Sequence, residues 1–164
     1  MKEKTYNIYR HGDTLGARRG WYFPLEYFTA SILPEGIPPI KRLAEYLRDK
    51  PIDSHVISPI RRCRETASIV TKEVGVKPRS DWRLADRLPI EPLFILKWRV
   101  KSFLRDMEKS EDENILICTH KAHIAVMAHI LTGKALSGLG DKSLYKPGTL
   151  TMIKGNKEEI KDFN

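Results

Sequence analysis

Four short apolar runs punctuate the chain: Tyr6-Asn7-Ile8-Tyr9, His55-Val56-Ile57, Asn114-Ile115-Leu116-Ile117-Cys118 and Leu150-Thr151-Met152-Ile153. Runs without strict apolar–polar alternation predict strands covered on both faces, as in a parallel sheet. Residues 77–80 predict a further strand, and residues 158–162 an edge strand or a frayed tail. Between the runs the apolar spacing changes to three and four residues. Ile40, Leu43, Ala44 and Leu47 mark one helical face, entered through Pro38-Pro39. Cys63, Ala67, Val70 and Val74 mark a second, stopped by Gly75, and Leu93, Leu96, Val100, Phe103, Leu104 and Met107 a third. Residues 122–132 are apolar nearly all round, which predicts a buried helix ended by Gly133. Strands alternating with helices imply an α/β fold: a three-layer α/β/α sandwich around a central, mostly parallel sheet, in one domain over residues 1–164. Residues 13–36 break the pattern. They are rich in aromatics and poor in helical periodicity, and are expected to form an active-site loop or lid.

Composition narrows the class. The 164 residues include 29 Lys and Arg against 21 Asp and Glu, a formal net charge of +8. Anionic partners are therefore expected, whether nucleic acid, anionic membrane or a small phosphorylated molecule. A hydrophobic fraction of 41% excludes global disorder. No apolar run approaches the roughly 20 residues of a spanning helix, so no membrane partner is expected. Met1-Lys2-Glu3-Lys4-Thr5 is charged and carries no apolar signal segment, which makes a cytoplasmic address the default. Cys63 and Cys118 make no disulfide framework and are read as reduced and structural, with a thiol at Cys63 activated by nearby positive charge as the alternative.

In open α/β sheets ligands bind beyond the C-terminal ends of the strands. Arg10-His11-Gly12-Asp13-Thr14 follows the first run, and Ser58-Pro59-Ile60-Arg61-Arg62 continuing to Thr66-Ala67 follows the second. Ala85-Asp86-Arg87 comes after the 77–84 segment, and Thr119-His120-Lys121-Ala122-His123 after the 114–118 run. Two histidines, two arginines and a carboxyl group thus converge on one edge. Arginine grips phosphate by paired, charge-assisted hydrogen bonds, which suits Arg10 and Arg62. A neutral imidazole, His11, can attack phosphorus. A second imidazole, His120, can stabilise equatorial charge if cationic, and Asp86 can protonate the departing oxygen. These positive groups supply what Mg²⁺ supplies elsewhere, so neither a cofactor nor a metal is called for.

These residues together resemble the histidine phosphatase superfamily, also called the phosphoglycerate mutase-like family. The opening Arg10-His11-Gly12-Asp13-Thr14, the Ser58-Pro59-x-x-Arg62 through Thr66-Ala67 segment, Arg83-Leu84-x-Asp86, His120 and the Pro147-Gly148-Thr149 turn follow in the family's order over the whole chain. The resemblance implies that His11 is phosphorylated, that Arg10, Arg62 and His120 surround the phosphate, and that the sheet is mainly parallel. Asp86 stands where Glu is commoner, and Lys121-Ala122-His123 replaces the small residues often found after the second histidine.

The expected activity is metal-independent hydrolysis of phosphate monoesters on a small phosphorylated substrate or a phosphoprotein. A phosphomutase and a non-catalytic phosphate- or nucleic-acid-binding module are the alternatives, nucleic acid being disfavoured. Thr14, Arg18, Trp21 and Lys121 are candidate substrate contacts; Thr14 otherwise shapes a turn and Lys121 is otherwise solvated. Asp13 and Glu91 rival Asp86 as the acid. Arg61 and Arg64 are read as surface charges, and His55 and His129 as structural or exposed. His123 lies three residues after His120, but no third metal ligand accompanies the pair.

Overall fold

The computed structural model describes residues 3–164; Met1 and Lys2, part of the charged N-terminal reading, lie outside them. The predicted strands are β1 (Thr5–Arg10), β2 (Ser54–Ile57), β3 (Pro78–Ser80), β4 (Asn114–Thr119), β5 (Thr149–Lys154) and β6 (Lys157–Asp162). They form one sheet in the order β3-β2-β4-β1-β5-β6. β3, β2, β4 and β1 run parallel, whereas β5 is antiparallel to β1, and β6 to β5. The sheet is therefore mixed. Since β5 pairs Leu150 with Tyr9, its beginning lies at the edge where the parallel strands end. Residues 157–162 are an edge strand. Their charged side chains, Lys157, Glu158, Glu159 and Lys161, discourage pairing with another chain.

Alternation along the strands feeds two cores. Tyr6, Ile8, Val56, Ile115 and Ile117 pack on one side against the helices α5 (Leu93–Lys109) and α6 (Lys121–Thr132). Tyr9, Ile57, Leu116, Cys118 and Leu150 pack on the other against α3 (Ile37–Leu47) and α4 (Arg61–Val74). Neighbouring residues of one strand thus enter opposite cores, which is why both the odd and the even positions are apolar. The result is the three-layer sandwich. α4 and α6 stop at Gly75 and Gly133, each with a positive φ that lets the chain turn out of the helix.

The 13–36 segment is more ordered than expected. It holds two short helices, α1 (Leu15–Arg19) and α2 (Glu26–Thr29), and a 3-10 turn at Pro34–Gly36. Thr14 opens α1 by accepting from the Ala17 N–H, and its hydroxyl also bonds Tyr22 Oη at 2.7 Å. Helices of five and four residues cannot display an apolar period, and their stability comes from such caps and from tertiary packing.

Candidate active site

β1 ends in Arg10, with His11 beyond it. β2 ends beside Ser58, and α4 then carries Arg62 inward. β4 ends at Thr119, and His120 caps α6. The backbone locks these ends together, His11 N–H to Thr119 O and Ser58 N–H to Cys118 O. Thr66 ties the first two segments: its hydroxyl donates to Arg62 O at 2.7 Å and accepts from Gly12 N–H at 2.9 Å. The His11 and His120 rings are 5.3 Å apart.

Both imidazoles are buried. His11 Nδ1 lies 2.8 Å from the carbonyl oxygen of Gly12, which can only accept. Nδ1 therefore carries the proton, and Nε2 keeps its lone pair. Burial, then the charges of Arg10 and Arg62, hold the His11 pKa well below the ordinary imidazole value. His120 is also pushed well below it, by burial first and then by Arg62 and His123. The condition that His120 be cationic thus meets a protein interior that favours the neutral ring. Its Nε2 pairs with Ser58 Oγ at 2.8 Å, and its Nδ1 faces Asp86 Oδ2 at 3.5 Å.

Arg62 is fully buried, which demands partners for its charge. It donates to Asp86 Oδ2 at 2.6 Å and to Tyr27 O at 2.7 Å, and its guanidinium lies 4.3 Å from the Tyr22 ring centroid. Three buried nitrogen atoms of this cluster, Arg10 Nε, Arg62 Nε and His120 Nδ1, have no hydrogen-bond partner. Unpaired buried polar atoms are costly, and three in one cluster mark a place suited to an anion.

A cavity of about 400 Å³ opens over these groups, lined by Arg10, His11, Trp21, Tyr22, Tyr27, Asp86, Arg87, Leu88, Pro89, His120, Lys121 and Leu139, among others. Of the three carboxyl groups considered, only Asp86 lines it. Asp13 accepts from Arg18 Nε at 2.6 Å and borders a separate cavity of about 210 Å³, while Glu91 is held by two 2.8 Å bonds from Arg99. Trp21 and Lys121 stand on the cavity wall; Thr14 and Arg18 do not. Thr14 is buried as a helix cap, and Arg18 turns to Asp13.

Arg61 pairs with Glu65 at the surface. His55 is buried against Tyr9 Oη at 2.7 Å, and His129 bonds Lys134 O. His123 Nε2 donates to Arg83 O at 3.2 Å, and burial lowers its pKa to about 4. Among the described residues no group of three or more His, Cys, Asp or Glu is placed to hold a metal ion. Cys63 and Cys118 are free and buried, with Cys63 Sγ 3.6 Å from His120 Nε2.

Sequence reasoning missed Tyr27 and Arg99. Tyr27 lends its carbonyl to Arg62, and its hydroxyl donates to Asp86 O. Arg99 donates from Nη1 to the carbonyls of Arg83 and Ala85 at 2.9 and 3.0 Å, bracing the segment that carries Asp86. Nothing in the basic stretch of α5 distinguishes Arg99 from its solvated neighbours. The aromatic run near Trp21 was the one signal for the wall.

The family model of the histidine phosphatase superfamily (branch 1) matches residues 7–88, the half of the chain that holds Arg10, His11, Arg62 and Asp86. The chain belongs to the histidine phosphatase superfamily. Solved histidine phosphatase-like structures agree on the fold. Phosphoglycerate mutase from Bacillus anthracis superposes with a TM-score of 0.80 at 14% identity, covering 99% of this chain and 94% of that one. Mycobacterial glucosyl-3-phosphoglycerate phosphatase superposes with a TM-score of 0.74 at 15% identity, covering 99% of each chain. No curated protein matches the chain in sequence.

Proposed function

We propose that the chain is a phosphatase that hydrolyses small phosphate monoesters through a phosphohistidine on His11. The observation that carries this reading is the neutral His11, its Nδ1–H held by Gly12 and its Nε2 lone pair free, among Arg10, Arg62 and the unpaired Nδ1 of His120.

In the first step His11 Nε2 attacks phosphorus, and the bond to the ester oxygen breaks. Arg10, Arg62 and His120 hold the non-bridging oxygens, where charge accumulates. Asp86 gives its proton to the leaving oxygen, which departs as an alcohol. A phosphate arriving at Arg62 competes with Asp86 for the guanidinium. In the second step the Asp86 carboxylate takes a proton from water, and the water oxygen attacks phosphorus. The P–N bond breaks, its electrons return to Nε2, and inorganic phosphate leaves. The positive charge for both steps comes from the protein's own side chains. Trp21, Tyr22, Leu88 and Leu139 would wall the leaving group, with Lys121 at one side.

The test is product analysis on a panel of phosphate esters that includes 3-phosphoglycerate. Inorganic phosphate is the expected product, and His11→Ala should lose about 10³-fold or more in kcat. An isomer of 3-phosphoglycerate in place of free phosphate would make the enzyme a mutase.

A further inference from the structure

The most exposed apolar side chains near the site are not in its wall. Trp82 is 70%, Ile90 89%, Phe94 68% and Trp98 67% exposed, and Ile95 is exposed beside them. They belong to one surface. Phe94, Ile95 and Trp98 lie in the first turns of α5, and Ile90 just precedes that helix. Trp82 sits in the 3-10 turn Trp82–Leu84, whose carbonyls at 82 and 83 are gripped by Arg99 of α5. Monomeric soluble proteins rarely leave such a group of large apolar side chains uncovered.

Charge says what covers it. Phe94, Trp98, Lys101 and Arg105 follow one another at four, three and four residues, which makes them one exposed stripe of α5, aromatic first and cationic after. No acidic residue lies between positions 92 and 105. The acids around the patch are already satisfied: Glu91 by Arg99, and Asp81 and Asp106 by Arg83. Lys97, Lys101 and Arg105 hold no ion pair among the described residues. A second copy docked face to face would oppose these cations to their own kind. Exposed tryptophan, phenylalanine and isoleucine ringed by unpaired lysine and arginine match an anionic lipid surface, where rings and aliphatic side chains enter the headgroup boundary and the cations meet lipid phosphates.

We propose that the Trp82–Ile90–Phe94–Trp98 surface, with Lys97, Lys101 and Arg105, docks the protein peripherally on anionic membranes. This departs from the expectation of no membrane partner. No helix of the described residues is long and apolar enough to cross a bilayer, so the contact lies on the surface. Leu88 and Pro89, just before Ile90, line the catalytic cavity, and docking therefore sets its mouth at the lipid boundary.

Co-sedimentation with vesicles tests this without reading phosphatase activity. The full chain should pellet with vesicles of phosphatidylglycerol and phosphatidylcholine and stay in solution with phosphatidylcholine alone. F94S/W98S and K101E/R105E should each weaken anionic-vesicle binding by more than about tenfold, while turnover of a soluble phosphate ester is unchanged. A wild-type protein that stays in solution with anionic vesicles would overturn the proposal, as would variants that pellet like the wild type. A dimer that fails to bind vesicles and that F94S/W98S dissolves would assign the face to a second copy instead.

Discussion

The chemistry proposed at His11 rests on what its ring cannot do. The Gly12 carbonyl fixes the proton on Nδ1, and burial, then the charges of Arg10 and Arg62, makes a second proton unfavourable. The task proposed for Asp86 is different, and its substitution separates the two. Asp86→Asn keeps a hydrogen-bonding group beside Arg62 and removes the transferable proton. Its kcat should fall by about 10²-fold or more for alkyl phosphates, which need the leaving oxygen protonated, and much less for p-nitrophenyl phosphate, whose leaving group departs as an anion. Equal losses on both would remove Asp86 from the acid's role. That Arg10, His11, Arg62, Asp86 and His120 gather at one edge was legible in the sequence because each ends or follows a strand, where an α/β sheet presents ligand-binding groups. The ion pair between Arg62 and Asp86 was not legible, since 24 residues separate the partners and only the fold brings them to 2.6 Å.

At the scale of elements, the long helices and the sheet could be read from apolar period alone because both faces of the sheet are covered. α1 and α2 could not, being too short to show a period and held by Thr14, Gly20 and aromatic packing. Their placement nonetheless matters to the site. Tyr22, just after α1, lies over Arg62, and a Cβ on Gly16 would come within 2.2 Å of the Tyr22 ring. Glycine is required there by that close approach. Arg99 of α5 clamps the turn that leads to Asp86. Arg99→Lys keeps the charge but loses the fork that reaches two carbonyls and Glu91 together. It is expected to cut kcat on alkyl phosphates by roughly tenfold with little change on p-nitrophenyl phosphate. A purely structural role would lower both rates alike.

For the whole molecule, burial of neutral histidines couples folding to pH. His55 and His123, both buried, have pKa values lowered to about 4, and His11 and His120 are shifted in the same direction. In the unfolded chain each would titrate near the ordinary value of about 6.5, so between roughly pH 6.5 and 4 the unfolded state binds more protons than the folded one. Stability from these rings is fully present above about pH 6.5 and is lost as pH falls towards 4, by roughly 2–3 kcal/mol for each of His55 and His123. Urea unfolding at pH 7 and 4.5 should show a marked fall in midpoint; an unchanged midpoint would mean that these rings ionise inside the fold. The charge of +8 also takes on a shape at this scale. Arg10 and Arg62 lie in the candidate site, while the cations of α5 border an apolar face, a distribution that composition alone could not reveal.

The covalent intermediate proposed on His11 offers the most direct test. The enzyme would be mixed with a ³²P-labelled phosphate ester, quenched in alkali within milliseconds and digested for mass spectrometry. Label is expected on His11, stable to alkali, released by acid and absent from His11→Ala. Full hydrolysis by His11→Ala, or rapid turnover with label on another residue, would contradict it.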